Sequence, residues 1–282
     1  YQITGSLPLY ITGYSEGGAY ALQAAHLMQD NPNYASTLNV QLKAAVPLSG
    51  FFDLSGTGLP YLFYNMNPSD DSNPWFAYSP LTSIASKPYL SAYLTLFFAN
   101  YSNIAPTDIL ASSFYNYPCS NTPPNCGNLD GLYFTNPQYS GYDTTAITLA
   151  DSQAENAGWG IFTNNAITPL LTQTYANALM QKDTTNPLYK QVVSADTYRF
   201  IPKFPVTLVS LQQHSVVTRV NSDVAYAYFT QQNPKGNYQE QLVPNSDFTV
   251  SNGDYLPNGN VDHISELPFL SLLILNQFNT TK

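Results

Sequence analysis

Four short stretches of the chain read as strands, and three of them are followed by a turn and a helical pattern. The first, "LPLYIT" at residues 7–12, mixes β-branched and aromatic residues as a buried parallel strand does. It runs straight into a Gly-rich turn. From Gly17 to Asp30 the chain becomes Ala-rich and helical, and "DNPN" stops it. A second buried strand is expected over about residues 43–49 in "LKAAVPLSGFFDLSG", leading into a loop that carries Asp53. A third, "FPVTLVSL" at 204–211, precedes the helical "RVNSDVAYAYFTQQ" and the turn "NPKGN". A fourth, "YQEQLVP", precedes a polar loop rich in Gly and Asn and a last helix from about Ser265. Strands alternating with helices predict an α/β fold with a parallel sheet and helices on both faces, half of a doubly wound domain.

Between Leu54 and Asp196 lie about 140 residues of another texture, rich in Pro, Tyr and Asn, with helical segments such as "PYLSAYLTLFFANY" and "NAITPLLTQTYANALMQKD". So long an insertion folds as a subdomain rather than a loop. The expected organisation is a core over residues 1–54, a mainly helical lid over 55–198, and the rest of the core over 199–282. Within the lid, Tyr89, Leu90, Tyr93, Leu94, Phe97, Phe98 and Tyr101 fall at near-helical spacing. The stripe suits ordinary subdomain core first and a greasy wall for an acyl chain second.

Composition narrows the partners. Only 10% of the 282 residues are charged, 23 are Tyr, and the net charge is −9 with nine Lys and Arg in all. Nucleic acid is disfavoured, since phosphate binding needs clustered basic residues. The longest apolar stretch, "LPFLSLLILNQF", is broken by Pro268 and Ser271 and falls short of the ~20 residues that a membrane-spanning helix needs, so the chain reads as soluble. Cys119 and Cys126 share the loop "YPCSNTPPNCGNLDG". Their short separation suggests a disulfide and an oxidising compartment, with free thiols as the plain alternative. None of the three histidines is near either cysteine in sequence, so no metal site is expected.

The chemistry concentrates at "GYSEGG". Gly13-Tyr14-Ser15-Glu16-Gly17 matches the sharp strand-to-helix turn that exposes a serine nucleophile, and it sits after an expected strand and before an expected helix. Serine needs a base and donors for the oxyanion it creates. Ser15 is the nucleophile candidate, and the backbone N–H of Glu16 is one oxyanion donor. His263, in "NGNVDHISELPF" after the last strand, is the candidate base. His26 lies on the helix behind Ser15 and reads as a surface or packing residue.

With "GYSEGG", "LSGFFDLSG", "VVTRVNSDVAYAYF" and "DHISELPF" in this order, the chain resembles the secreted lipase and esterase branch of the α/β-hydrolase superfamily. The resemblance implies hydrolysis of a small-molecule or lipid ester through an acyl-serine intermediate, with no cofactor, in a secreted or periplasmic protein. A peptidase on the same fold is a further reading.

Two departures stand out. The family's acid motif, H-G-x-x-D-x-x-V-P-x-x-N-S, laid on "SLQQHSVVTRVNS", puts the acid on His214, with Leu211 where Gly is usual and Thr218 where Pro is usual. A neutral imidazole there could hold the tautomer of His263 without stabilising its charged form. Asp53 is the alternative acid, unless it is a structural aspartate closing an Asx-turn in "DLSG". Asp262 and Asp223 are poorly placed for the role. The elbow also comes early, which leads us to expect that the first strands of the sheet, and with them the second oxyanion donor, are missing. A relative with a disabled triad, acting as a binding or effector module, is therefore the second reading.

Overall fold

The structure is a computed structural model that describes residues 5–59, 104–109, 112, 159–160, 168–169, 172–212, 217–244, 274 and 278. Along the chain run β1 (Leu7–Tyr14), α1 (Glu16–Asp30), α2 (Pro32–Leu38), β2 (Val40–Leu48), α3 (Gln173–Gln181), α4 (Pro187–Ser194), β3 (Val206–Leu211), α5 (Val220–Gln232) and β4 (Tyr238–Val243). The chain divides into two units. One includes Tyr1–Gly58 and Asp196–Lys282, and the other includes Thr82–Ala195.

The first unit is built on a sheet ordered β1-β2-β3-β4 with every pair parallel. Parallel neighbours need crossover helices, and the Ala-rich α1 and the helix α5 supply them. Alternation along the strands sorts the core into two faces. Ala45, Val206, Leu208 and Tyr238 meet Leu22 and Ala25 of α1 and Ala225 and Phe229 of α5. Val46, Leu48, Val209, Leu211 and Val243 face the other way, with Ile274 among them. Helical residues therefore lie on both faces, as the alternating pattern requires. Fully buried Phe52 and Phe229 each contribute on the order of 1.5–3 kcal/mol through the apolar area they remove from water.

Differences from the sequence expectation are local. The helix that "DNPN" stops is followed at once by α2, because Pro32 occupies the first helical turn, where its missing N–H costs nothing. Asn39 ends α2 in the left-handed conformation. β1, apolar enough for a central strand, is paired only with β2 among the described residues, and Leu7 is 45% exposed. His26 packs: its ring stacks on Phe200 at 4.0 Å, and Nε2 lies 3.0 Å from an Asp30 carboxylate oxygen.

In the second unit, α3 begins at Thr172, whose hydroxyl accepts from Tyr175 N–H, and α4 begins at Asn186, whose side-chain oxygen accepts from Leu188 and Tyr189 N–H. Cys119, Cys126 and the 88–101 stripe lie outside the described residues. Among the described residues no helix is long and apolar enough to cross a membrane.

The turn after β1 is held by steric necessity. A Cβ at Gly13 would sit 1.9 Å from the Gly17 carbonyl oxygen, and one at Gly18 would sit 2.5 Å from the Leu48 carbonyl oxygen. At Gly17 a Cβ meets no described atom within 4 Å. The crowded glycines are thus Gly13 and Gly18, not the Gly13 and Gly17 of the motif. Gly13→Ala and Gly18→Ala should each destabilise the first unit by about 2 kcal/mol or more, since backbone must move in both cases. Urea unfolding curves that match the parent would contradict this.

Candidate active site

Ser15 sits between β1 and α1 with φ 57° and ψ −122°, a conformation that costs a non-glycine residue on the order of 1–3 kcal/mol. Its surroundings hold it there. Ser15 N–H donates to the Leu48 carbonyl of β2 at 3.0 Å, and its own carbonyl accepts from Gly18 and Ala19 N–H. The side chain is thereby carried at the carboxyl end of the sheet, where open α/β sheets bind their ligands. Glu16 opens α1, so its N–H is among the helix's first donors, which have no intrahelical acceptor. The Glu16 carboxylate accepts a hydrogen bond from the Tyr20 hydroxyl on the same helix.

The same edge continues across the sheet. Ser49, just past β2, has φ 42° and donates its N–H to Val209 at 2.8 Å, and Gln212, just past β3, donates to Val243 at 2.8 Å. Each of these residues leaves its strand tied to the next.

Asp53 follows β2, the strand next to the one that carries Ser15, and is 5% exposed. Its carboxylate accepts from the Thr57 hydroxyl at 2.5 Å, and the Tyr198 hydroxyl also hydrogen-bonds it. Burial and then the Asp53 charge push the Tyr198 hydroxyl above its ordinary value, so it stays a neutral donor. The Asp53 carbonyl accepts from Thr57 and Gly58 N–H across a single π-helical turn at Leu54–Gly58. The expected Asx-turn is not formed, because Ser55 N–H, its would-be donor, binds Asp196 at 2.9 Å instead. Asp196 is also buried. It takes the Ser55 hydroxyl at 2.7 Å and a two-nitrogen contact from Arg199 at 2.9 and 3.0 Å. Burial raises its carboxyl, and the bonds from Ser55 and Arg199 oppose that.

Asn221 and Ser222, the "NS" of the acid motif, are fully buried at the start of α5. The Asn221 side-chain oxygen accepts from Asp53 N–H at 3.2 Å, and its amide donates to the Thr218 carbonyl at 3.2 Å. This bond joins the Asp53 loop to the turn that follows position 214. His214 and His263 themselves lie outside the described residues. The roles of Asn221, Tyr198 and Asp196 were not read from the sequence; only the "NS" pair gave a signal for one of them. Among the described residues no three His, Cys, Asp or Glu side chains group as metal ligands would.

No protein-family model matches the chain, and neither does any curated protein sequence. Its fold is shared with solved structures. The rice cell wall degrading esterase LipA from Xanthomonas oryzae is 16% identical, with a TM-score of 0.60, over 99% of this chain and 60% of that one. A protein from Legionella pneumophila, provisionally named a hydrolase, is 16% identical with a TM-score of 0.57, over 97% of this chain and 56% of that one. The chain thus spans a little over half the length of these structures, and what the likeness shows is the α/β-hydrolase fold of a parallel sheet flanked by helices.

Proposed function

We propose that the protein is a serine carboxylic-ester hydrolase. The observation that carries this reading is the Ser15 backbone: a serine held at φ 57° on a strand-to-helix turn, at the carboxyl end of a parallel sheet. Hydrolase and esterase neighbours of the same fold support it.

In this reading His263 accepts the proton of Ser15 Oγ as the oxygen attacks the ester carbonyl carbon. The tetrahedral oxyanion is met by Glu16 N–H at the positive end of α1. Collapse breaks the bond to the alkoxy oxygen, and His263 returns the proton to the departing alcohol. Water then attacks the acyl-serine with His263 again as base, releasing the acid and restoring Ser15. His214 or Asp53 orients His263. The Cys119–Cys126 pair, if bonded, fits the secreted or periplasmic setting of the same reading.

A second reading, an impaired relative that binds rather than turns over, is favoured by one observation: the Asp53 carboxylate already accepts bonds from Thr57 and Tyr198. Two substitutions separate the cases. Ser15→Ala should lower kcat for a short-chain ester about 10⁴-fold or more and abolish covalent labelling by a fluorophosphonate; unchanged turnover would remove the assignment. His214→Asp should raise kcat by about 10²-fold or more if position 214 faces His263, and no rise would exclude that position. For Asp53→Asn we expect a stability loss of about 1–3 kcal/mol with kcat of the folded protein within about tenfold of the parent. A collapse of kcat with stability unchanged would make Asp53 the acid instead.

A further inference from the structure

Among the described residues, two serines at the carboxyl end of the sheet, Ser49 and Ser210, are each 1% exposed, and their hydroxyl oxygens are enclosed without a hydrogen-bond partner. An enclosed hydroxyl with nothing to bond is a cost to the fold, so each asks for a reason. Their backbones tell them apart. Ser210 lies inside β3 between Val209 and Leu211, which share the face of Ile274, so alternation along the strand turns its side chain to the opposite face, that of Leu208. Ser49 stands just past β2 at φ 42°, where a residue other than glycine is strained.

That strained backbone repeats the one at Ser15, one strand over. Tyr14, Leu48 and Val209 are in register across parallel β1, β2 and β3, and Ser15 and Ser49 directly follow the first two. Ser15 N–H donates to Leu48 at 3.0 Å and Ser49 N–H donates to Val209 at 2.8 Å, so the peptides entering the two serines are oriented alike. From a given entering peptide, φ alone sets the direction of Cβ, and the two values, 57° and 42°, are close. The two Cα–Cβ bonds are therefore nearly parallel, displaced by the spacing of neighbouring strands, about 4.8 Å. Across that distance, rotation about χ1 brings one hydroxyl oxygen within hydrogen-bond reach of the other.

We propose that Ser49 is a positioning residue of the Ser15 site. Its hydroxyl donates to Ser15 Oγ, holds that oxygen in the rotamer that faces the ester, and leaves the Ser15 proton to the base. The role rests on the ester-hydrolase reading of Ser15. Ser210, with its hydroxyl equally enclosed but on the opposite face, has no such role and serves as the internal comparison.

The test sets Ser49→Ala and Ser49→Gly, which remove the hydroxyl without and with relief of the positive φ, against Ser210→Ala. Melting temperature, kcat and KM for a short-chain ester, and the rate at which a fluorophosphonate labels Ser15 are read on the same intact proteins. All three variants should melt no lower than about 2 °C below the parent, because each loses a hydroxyl that the fold leaves without a partner. In both Ser49 variants kcat and the labelling rate should fall about fivefold or more, the worth of one hydrogen bond, with KM within about twofold of the parent. Ser210→Ala should keep both rates within about twofold. Parent-like rates in the two Ser49 variants would overturn the positioning role, and so would an equal loss in Ser210→Ala. A rate lost in Ser49→Ala only together with a larger drop in melting temperature would make Ser49 a structural residue and overturn the role as well. A parent that neither hydrolyses the ester nor takes the label would sink the ester-hydrolase reading itself and the role with it, a result distinct from the others.

Discussion

The first unit depends on a row of backbone hydrogen bonds at the carboxyl edge of its sheet. Ser15 N–H binds Leu48, Ser49 N–H binds Val209, and Gln212 N–H binds Val243. In a parallel sheet every strand ends on the same side, so the chain leaves β1, β2 and β3 along one rim. Each of these bonds obliges the residue after a strand to face sideways, and two of the three donors pass through positive φ as a result. Gly13 and Gly18 are required because their neighbours' carbonyls occupy the space a side chain would take. The location of Ser15, the start of α1 and the course of the loop after β2 all follow from that rim.

Beneath the rim, a charge-poor protein places several of its polar groups out of water. The loop after β2 has little regular structure, so its backbone needs partners once it is buried. Asp53, Thr57, Tyr198 and Asn221 supply one set, and Asp196, Ser55 and Arg199 supply another. Removing a single member would leave a buried donor or acceptor unmatched, which is more costly than the bond is worth. These sets anchor residues 53–58 to 196–199 and to the start of α5, so the loops on the rim share a common footing.

Sequence made the scaffold legible where the signal was local. Apolar runs of strand length, the Ala-rich α1 and the Gly-Tyr-Ser-Glu-Gly turn each carry their cause within a few residues, and the parallel α/β fold follows from their order. Other features have causes far along the chain. Ser55 N–H, which a local reading of "DLSG" gives to Asp53, goes to Asp196, 141 positions away. Asn221 finds Asp53 across 168 positions. Neither partner is visible in a window of neighbours. At Pro32 the same residue that marks the end of one helix begins the next, and only the surrounding backbone distinguishes the two.

The strain at Ser15 lies in its backbone rather than in its side chain. A backbone at φ 57° is indifferent to the hydroxyl it carries, and glycine would occupy it without the penalty of about 1–3 kcal/mol that serine bears there. Glycine at this position would relieve the strain and remove the hydroxyl in the same step. The stability of the first unit thus carries, at its strand-to-helix turn, a fixed cost that belongs to the side chain's attachment point and not to its hydroxyl.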